Sequence, residues 1–294
     1  GIHMDYEIHT WYAKAKVTIN KVDNKNTQTL ATKDWGDCAH YLQGDVWDSP
    51  MNYFGCGRVI RQFLGEPDLF MQKHPALRNI SYKMTARDVK NRILEHLAKL
   101  PYVIWANQFN LFDSHDTSRL HNNPQVNREE YRGAVMFQFM LPGAASIYYG
   151  DEAEIDGFTD TMEGCRYPMP WEKNIAQCGT YQMYRTLTKL KAEHPALSEG
   201  MKFLYDDGHI LAIARFWQQE AFVCVISTEE DDVTIRLPLG AVGAVRPAQK
   251  QDIFGRPLVM EDEDEHKIQH DVEHAGNNQR HQRHHRIAQR AHDC

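Results

Sequence analysis

The sequence lacks three features, and each absence narrows what the protein can be. No apolar run approaches the roughly 18 residues that a membrane-spanning helix needs, so we expect a soluble protein with no membrane partner. No basic start followed by an apolar core opens the chain, and without this secretory pattern we expect a cytoplasmic location. The formal net charge of −7 at pH 7 disfavours nucleic-acid binding, because such binding requires cationic side chains that neutralise phosphates.

Cysteine is also scarce. The 294 residues contain six cysteines, and no two of them form a Cys-x-x-Cys pair. Zinc sites in sequences are recognised by such close pairs, so we expect no metal site of this kind. A disulfide scaffold needs a higher density of cysteines, and their scarcity favours a reducing compartment such as the cytoplasm.

What the sequence does contain is a long region, residues 32–198, in which helix-like and strand-like segments alternate. The segment from Thr85 to Asp88 has the form of a helix capping box, and apolar residues follow it at near-helical spacing. Pro101 marks the end of that helix. Two further helices are predicted to begin at Asn127 and at Thr180. Short apolar runs between such helices are typical of parallel strands with helical crossovers, which predicts an α/β fold.

Polar clusters follow two of these apolar runs. Phe109–Phe112 is followed by Asp113, Ser114, His115 and Asp116, and Ala144–Tyr149 is followed by Gly150, Asp151 and Glu152. In (β/α)8 barrels, polar residues at the carboxyl ends of strands form the active site. A single His-Asp pair is more often a solvated or capping turn. Two clusters in equivalent positions favour an active site over that alternative.

The rest of the chain differs in character. Residues 199–260 contain alternating or apolar runs and a hairpin signal, Asp206-Asp207-Gly208, which predict a small antiparallel β domain. Residues 1–31 show no strong period and are assigned to a divergent N-terminal segment. Residues 261–294 are acidic and then rich in His and Arg. We interpret this tail as disordered, and metal binding by its histidines is the alternative.

Four blocks of sequence resemble the α-amylase family of glycoside hydrolases, in the branch that includes neopullulanases, cyclomaltodextrinases and oligo-glucosidases. The resemblance covers roughly residues 33–240, and it implies the C-terminal part of a (β/α)8 TIM barrel, strands five to eight, followed by the β domain. The blocks are Trp35-Gly36-Asp37 with Leu42–Asp45 and Asp48–Tyr53, then Leu111–Arg119, then Gly143–Glu152 with Ile155–Gly157, and finally Gly164–Trp171.

The resemblance implies retaining hydrolysis of α-glucosidic bonds, in which a nucleophilic carboxylate and an acid/base carboxyl act on the anomeric carbon. A third carboxylate of the family, which binds sugar hydroxyls, matches Asp116, and the imidazole beside it matches His115. By the same resemblance, Arg119 and Arg166 are structural or substrate-subsite residues. The resemblance also places Asn52 and Tyr53 among the substrate-binding residues. An α-glucan or maltooligosaccharide is the implied substrate.

The sequence departs from the family at the other two catalytic positions. Lys33 stands where the family has its acid/base Glu, and an ammonium group of reference pKa about 10.4 is a poor replacement for a carboxylic acid. Asp34 and Asp37 are nearby carboxylates with different expected orientations. No segment upstream of Lys33 matches the one that carries the family's nucleophilic Asp. A barrel of this kind needs roughly 250 residues, so we expect about half of it to be absent.

We therefore predict an α-amylase-like glycoside hydrolase that is truncated and impaired, and the alternative is a catalytically inactive carbohydrate-binding or interaction protein of the same descent. We hypothesise that the coding frame, or the cloned fragment, departs from the family at both ends. Missing strands found upstream in another frame would support this hypothesis, and one intact frame without them would refute it. We expect no cofactor, because calcium in the family is bound mainly through the half that has no match here.

Overall fold

The computed structural model of the chain describes residues 51–66, 83–231 and 233–243 in full, and it assigns strands alone at 16–20, 27–31, 259–260 and 267–270. The chain divides into two compact units. The first unit consists of Gly1–Phe112 and Leu141–Ser146, and the second consists of Asp113–Met140 and Ile147–Cys294. Among the fully described residues, no helix combines the length and the apolar character needed to cross a membrane.

The first unit contains four described strands and three helices. Two of the strands, β1 and β2, pair with each other as an antiparallel hairpin. A π-helical turn, Tyr53–Gly57, leads directly into the first helix. The elements are β1 (Lys16–Asn20), β2 (Thr27–Ala31), α1 (Arg58–Phe63), α2 (Ala86–Ala98), α3 (Tyr102–Trp105), β3 (Phe109–Asn110) and β4 (Ala144–Ala145).

Helix α2 begins at the predicted capping box. The Thr85 hydroxyl accepts from the Asp88 backbone N–H at 3.1 Å, and the Asp88 carboxylate accepts from the Thr85 N–H at 3.1 Å. These two bonds satisfy donors that the first helical turn leaves without intrahelical partners. Val89 and Ile93 bury the apolar face, as their spacing predicts. The helix ends at Ala98, three residues before Pro101.

Short strands of the first unit run parallel to one another. Phe109 pairs in parallel with Ala144 on one side and with Met51 on the other. Helices α1 and α2 lie between Met51 and Phe109 in the chain. Parallel strands joined by helical crossovers are the repeating unit of an α/β barrel. The prediction of a partial (β/α) barrel is therefore confirmed.

A glycine makes this parallel pairing possible. Gly143 has a φ of 103°, a backbone conformation that residues with a Cβ rarely adopt. A Cβ built on Gly143 would lie 2.1 Å from the Gln108 carbonyl oxygen. Only glycine fits this position, because β4 starts directly beside the backbone of the residue that precedes β3.

The second unit contains two long helices and most of the antiparallel sheet. Helix α4 spans Arg128–Met140 and helix α5 spans Gly179–Glu193, close to their predicted starts. The buried hydroxyls of Tyr131 and Tyr184, one from each helix, lie 3.0 Å apart. The strands are β5 (Gly200–Asp206), β6 (Ile210–Trp217), β7 (Glu220–Ser227), β8 (Val233–Arg236), β9 (Val259–Met260) and β10 (Lys267–His270).

The antiparallel strands of the second unit form two three-stranded sheets, ordered β5-β6-β7 and β8-β10-β9. The predicted hairpin joins β5 to β6. The Asp207 carboxylate caps its turn by accepting from the backbone N–H groups of His209 and Ile210, each at 2.7 Å. Apolar side chains from the first sheet and from the segment around β8 share one core: Leu204, Ile210, Ala212, Ala214, Ile235, Leu237, Leu239 and Val242. The small antiparallel β domain is therefore confirmed as part of the fold.

The ends of the chain contain elements that the sequence pattern does not predict. The hairpin of β1 and β2 lies within residues 1–31, where we find no strong period. Strand β10 lies within the tail that we interpret as disordered, and it pairs with β8 and β9. The rest of the tail is outside the described residues. The exact domain boundaries and the disorder of the tail stay predictions.

Candidate active-site turn

The predicted site residues His115 and Asp116 lie at the tip of a short turn that follows β3 along the chain. We call residues 113–120 the SHD turn. Inside it, the Thr117 N–H donates to the Ser114 carbonyl oxygen at 3.4 Å. The Ser114 N–H donates to the Thr117 hydroxyl at 3.1 Å, and the Asp116 N–H donates to the Ser114 hydroxyl at 3.1 Å. Local side-chain bonds of this kind fix a backbone that belongs to neither helix nor strand.

Burial differs between the residues that hold the SHD turn in place and the residues predicted to bind substrate. Ser114 and Thr117 are buried. The side chains of His115 and Asp116 are each 38% exposed, and the His115 Nε2 lies 3.4 Å from the Asp116 Oδ1. An imidazole and a carboxylate in contact and open to solvent can together donate to and accept from a bound hydroxyl-rich molecule.

Arg119, three residues after Asp116, has no solvent exposure. Its guanidinium donates to the Asp151 carboxylate at 2.5 Å and to the Tyr149 carbonyl oxygen at 2.7 Å. It also packs against the Tyr148 ring, with the guanidinium carbon 4.7 Å from the ring centroid. Of the two roles that the sequence left open for Arg119, this geometry supports the structural one.

A second carboxylate, that of Asp113, is buried close to Asp151. Burial and then the charge of Asp113 raise the pKa of Asp151 well above its usual range, while Arg119 opposes the rise. One guanidinium among two buried carboxylates leaves the cluster with an excess of negative charge, which is costly in a medium of low dielectric constant.

Asp113, His121 and Asp151 place their potential ligand atoms within 4.8 Å of one another. Calcium, which the family resemblance suggests as a ligand, prefers six to eight oxygen ligands. Here the donor set includes an imidazole, Arg119 already binds Asp151, and Asp113 accepts the Leu120 N–H. These residues do not fit a calcium site.

The segment from Gly157 to Tyr167 packs on the back of the SHD turn. The Arg119 N–H donates to the Gly157 carbonyl oxygen at 2.9 Å. The buried Cys165 thiol donates to the Thr117 carbonyl oxygen at 2.7 Å. The Tyr148 hydroxyl donates to the Cys165 carbonyl oxygen at 3.0 Å, and burial, followed by the Tyr149 hydroxyl, raises the pKa of Tyr148 to about 12. These contacts anchor the SHD turn through Thr117 and Arg119, while the side chains of His115 and Asp116 stay exposed.

The other predicted site residues have different surroundings. Arg166 is exposed, in the same unit as Asp116. Asn52 and Tyr53 are buried in the first unit. The Asn52 side chain donates to the Asn110 side-chain oxygen and accepts from the Gly55 N–H, each at 2.8 Å. Substrate binding by these three residues stays a prediction.

Lys33, which replaces the family's acid/base residue, lies outside the described residues, as do Asp34 and Asp37. Glu152, the remaining nearby carboxylate of the sequence pattern, accepts the Gly150 N–H at 2.8 Å.

Sequence reasoning missed the buried residues that support the turn. Asp113 and Asp151 stand in the two polar clusters of the sequence, yet nothing in their spacing shows that they are buried and that Arg119 bridges to one of them. Cys165 carries no signal beyond being a lone cysteine. The available signal was the position of both aspartates directly after predicted strands.

Comparisons with known proteins identify relatives of this chain. A family model described as the α-amylase catalytic domain matches residues 7–211, and this range begins within the segment that we assign as divergent. A cyclomaltodextrinase of a Bacillus species is 30% identical over 205 residues, which is 69% of this chain and 34% of that protein. Neopullulanase 2 of Thermoactinomyces vulgaris is 30% identical over 214 residues, which is 71% of this chain and 33% of that protein.

Solved structures also match this chain. The debranching enzyme of Nostoc punctiforme matches with a TM-score of 0.57 and 26% identity, over 71% of this chain and 43% of that one. The chain spans about a third of the length of the two curated relatives described above.

Proposed function

The chain belongs to the α-amylase catalytic-domain family, and from that premise we propose that it is an α-glucan-acting glycoside hydrolase by descent that binds maltooligosaccharides at His115 and Asp116. The observation that carries the proposal is the contact between these two exposed side chains, 3.4 Å apart. The neighbouring residues Ser114 and Thr117, which fix the turn, are buried. The names of the matched relatives, cyclomaltodextrinase and neopullulanase, indicate α-glucan substrates.

The chemistry of the pair suits a sugar ring. Neighbouring hydroxyls of a glucose unit can each donate and accept. A carboxylate at Asp116 accepts from one hydroxyl, and a His115 N–H donates to the next. Charge-assisted bonds of this kind are stronger than neutral ones. In a retaining reaction the ring gains positive charge in the transition state, and a carboxylate that contacts the sugar also stabilises that charge.

A second candidate is a catalytically silent carbohydrate-binding protein of the same family. The observation that favours it is Lys33, which by the family resemblance takes the position of the acid/base Glu. Without an acid at this point, protonation of the leaving oxygen lacks its usual donor. Both candidates share the sugar-binding role of Asp116 and differ in turnover.

One experiment separates the two candidates. Reducing-sugar release from starch and maltoheptaose is measured for the wild type and for Asp116→Asn, together with maltoheptaose binding by calorimetry. If the wild type releases reducing sugar and Asp116→Asn does not, the result supports the hydrolase. Binding without release, weakened about 10- to 100-fold by Asp116→Asn, supports the silent binder, because a hydrogen bond to a charged group contributes on the order of 1.5–3 kcal/mol.

The matched control is Asp231→Asn, which removes an exposed carboxylate on the loop between β7 and β8. It should leave both release and binding unchanged. Wild-type protein that neither binds maltoheptaose nor releases sugar would contradict both candidates.

A further inference from the structure

Asp113 closes the SHD turn across its base. Both carboxylate oxygens of Asp113 lie 3.0 Å from the backbone nitrogen of Leu120. Asp113 is 3% exposed and Leu120 has no exposed surface. This contact joins the first and the last residue of the SHD turn. His115 and Asp116 lie between these two residues in the chain. The Asp113 side chain therefore joins the two ends of the turn that presents the sugar-binding pair.

Arg119, beside this contact, has hydrogen-bond partners of its own. Arg119, next to Leu120, is bound through its guanidinium to Asp151 and through its N–H to Gly157. The bonds inside the turn, among Ser114, Asp116 and Thr117, set its curvature. These inner bonds do not connect the turn to its base, so the link from Asp113 to Leu120 closes the ring.

The charge of Asp113 has an electrostatic cost that its hydrogen bonds offset. Its carboxylate is buried within 4.8 Å of ligand atoms of Asp151 and His121, and its charge raises the pKa of Asp151. An uncharged residue would avoid this repulsion. A carboxylate, however, offers both oxygens to one N–H and forms a charge-assisted bond, which is stronger than a neutral one.

We propose that Asp113 is a positioning residue, which holds the SHD turn in the one conformation that presents His115 and Asp116 together to a sugar. The proposal rests on the function proposed above, since it assigns the purpose of the turn to sugar binding. Asp113 itself does not touch the sugar. It acts through the Leu120 N–H, which orders the backbone that carries the pair.

Two substitutions of Asp113 test separately whether its hydrogen-bond acceptor and its negative charge are needed. Asp113→Asn keeps one oxygen that accepts the Leu120 N–H and removes the charge. Asp113→Leu keeps the branching at Cγ and removes the acceptor. Asp231→Leu and Asp231→Asn are the matched controls on an exposed loop. Each protein is compared with the wild type by maltoheptaose binding, and by the amide proton shift and hydrogen exchange of Leu120 and Asp116 in NMR spectra.

We expect Asp113→Leu to weaken maltoheptaose binding about 10- to 100-fold and to speed exchange at Leu120 by a similar factor, as loss of a charged acceptor predicts. Asp113→Asn should restore binding to within about threefold of the wild type, while the Leu120 amide proton moves upfield because its acceptor is neutral. The Asp231 variants should match the wild type in every measurement.

Several outcomes would overturn the proposal. If Asp113→Leu binds maltoheptaose as tightly as the wild type and the Leu120 amide is still protected from hydrogen exchange, Asp113 has no positioning role. If Asp113→Leu does not fold, Asp113→Asn decides: a folded Asn variant that loses binding shows that the charge, and not the geometry, matters. If the wild type binds no maltoheptaose, the proposed function fails, and the exchange at Asp116 and Leu120 still reports whether Asp113 orders the turn.

Discussion

A buried and a half-buried cation in the second unit bind backbone carbonyl groups. Arg215 has no exposed surface, and its guanidinium donates to the carbonyl oxygens of Met140, Glu199 and Gly200 at 2.8–3.0 Å. Lys191 donates to the carbonyl oxygens of Phe139 and Leu197. Two of these carbonyls belong to the C-terminal end of α4, where the helix dipole favours positive charge.

Lys191 gives a prediction about pH. Burial, and then the charge of Arg215, lower the pKa of Lys191 to about 8 from 10.5. Between these values the unfolded chain holds the proton that the folded chain has lost, so the free energy of unfolding rises with pH through that window. Below pH 8 both states are protonated, and the full cost of burying the charge, on the order of 3 kcal/mol, is present.

We expect Lys191→Met to remove this contribution. The measurement is urea unfolding followed by circular dichroism at pH 7.5 and pH 10 for the wild type and the variant. The difference in unfolding free energy should shift in favour of the wild type at the higher pH. Lys189→Met, an exposed position on the same helix, is the control and should show no such shift. Equal pH slopes for the wild type and Lys191→Met would contradict the lowered pKa.

At the scale of residues, the sequence predicts the exposed pair better than its support. His115 and Asp116 follow from the family resemblance because their chemistry is carried by side-chain type and by neighbours in the chain. Asp113, Asp151 and Cys165 depend on which backbone groups the fold brings next to them. That information is three-dimensional, so no local pattern contains it.

At the scale of elements, the starts of the helices are encoded locally. The predicted starts at Thr85 and Asn127 each lie one residue before the observed helix, and the N-terminal polar side chain accepts backbone N–H bonds in both cases. The π-helical turn Tyr53–Gly57 is not predictable in the same way. Gly55 is buried against the His96 ring, a tertiary contact that no local spacing contains.

The capping box of α2 gives a prediction at this scale. Thr85→Ala removes the acceptor for the Asp88 N–H, and we expect the unfolding free energy of the first unit to fall by about 1 kcal/mol. Urea unfolding followed by circular dichroism measures the change. Thr186→Ala, in the interior of α5, is the control, and alanine there should be neutral or slightly stabilising. Unchanged stability of Thr85→Ala would show that the box does not hold the helix start.

At the scale of the whole molecule, buried free thiols occur in both units. Cys56 lies in the first unit, and Cys165 and Cys224 lie in the second. All three are buried free thiols. Burial raises the pKa of Cys56 well above its usual range, and it raises that of Cys224 to about 12. Since the thiolate is the reactive species, these groups should be inert in the folded protein.

We expect alkylation of the three thiols only when the unit around each one unfolds. Pulse labelling with iodoacetamide across a urea series, followed by peptide mass spectrometry, measures this. Labelling of Cys56 should follow the unfolding of the first unit, and labelling of Cys165 and Cys224 should follow the second. Modification of any of them in native buffer at the rate of a short peptide would show that the packing around it is open.

The same scale also limits what the sequence predicts. The partial barrel and the β domain follow from periodicity and resemblance, because repeated βα units carry a strong pattern. The hairpin of β1 and β2 and the pairing of β10 involve short strands whose partners decide their existence. The cytoplasmic location stays a prediction.

The thiol of Cys165 is more than a support for the SHD turn. Its S–H group donates to the carbonyl oxygen of Thr117, the residue directly after Asp116. A sulfur–hydrogen stretch absorbs infrared light in a spectral window that other protein vibrations leave clear, and its frequency follows the strength of the hydrogen bond. The protein therefore carries a native vibrational reporter one residue from its sugar-binding carboxylate, readable without a label.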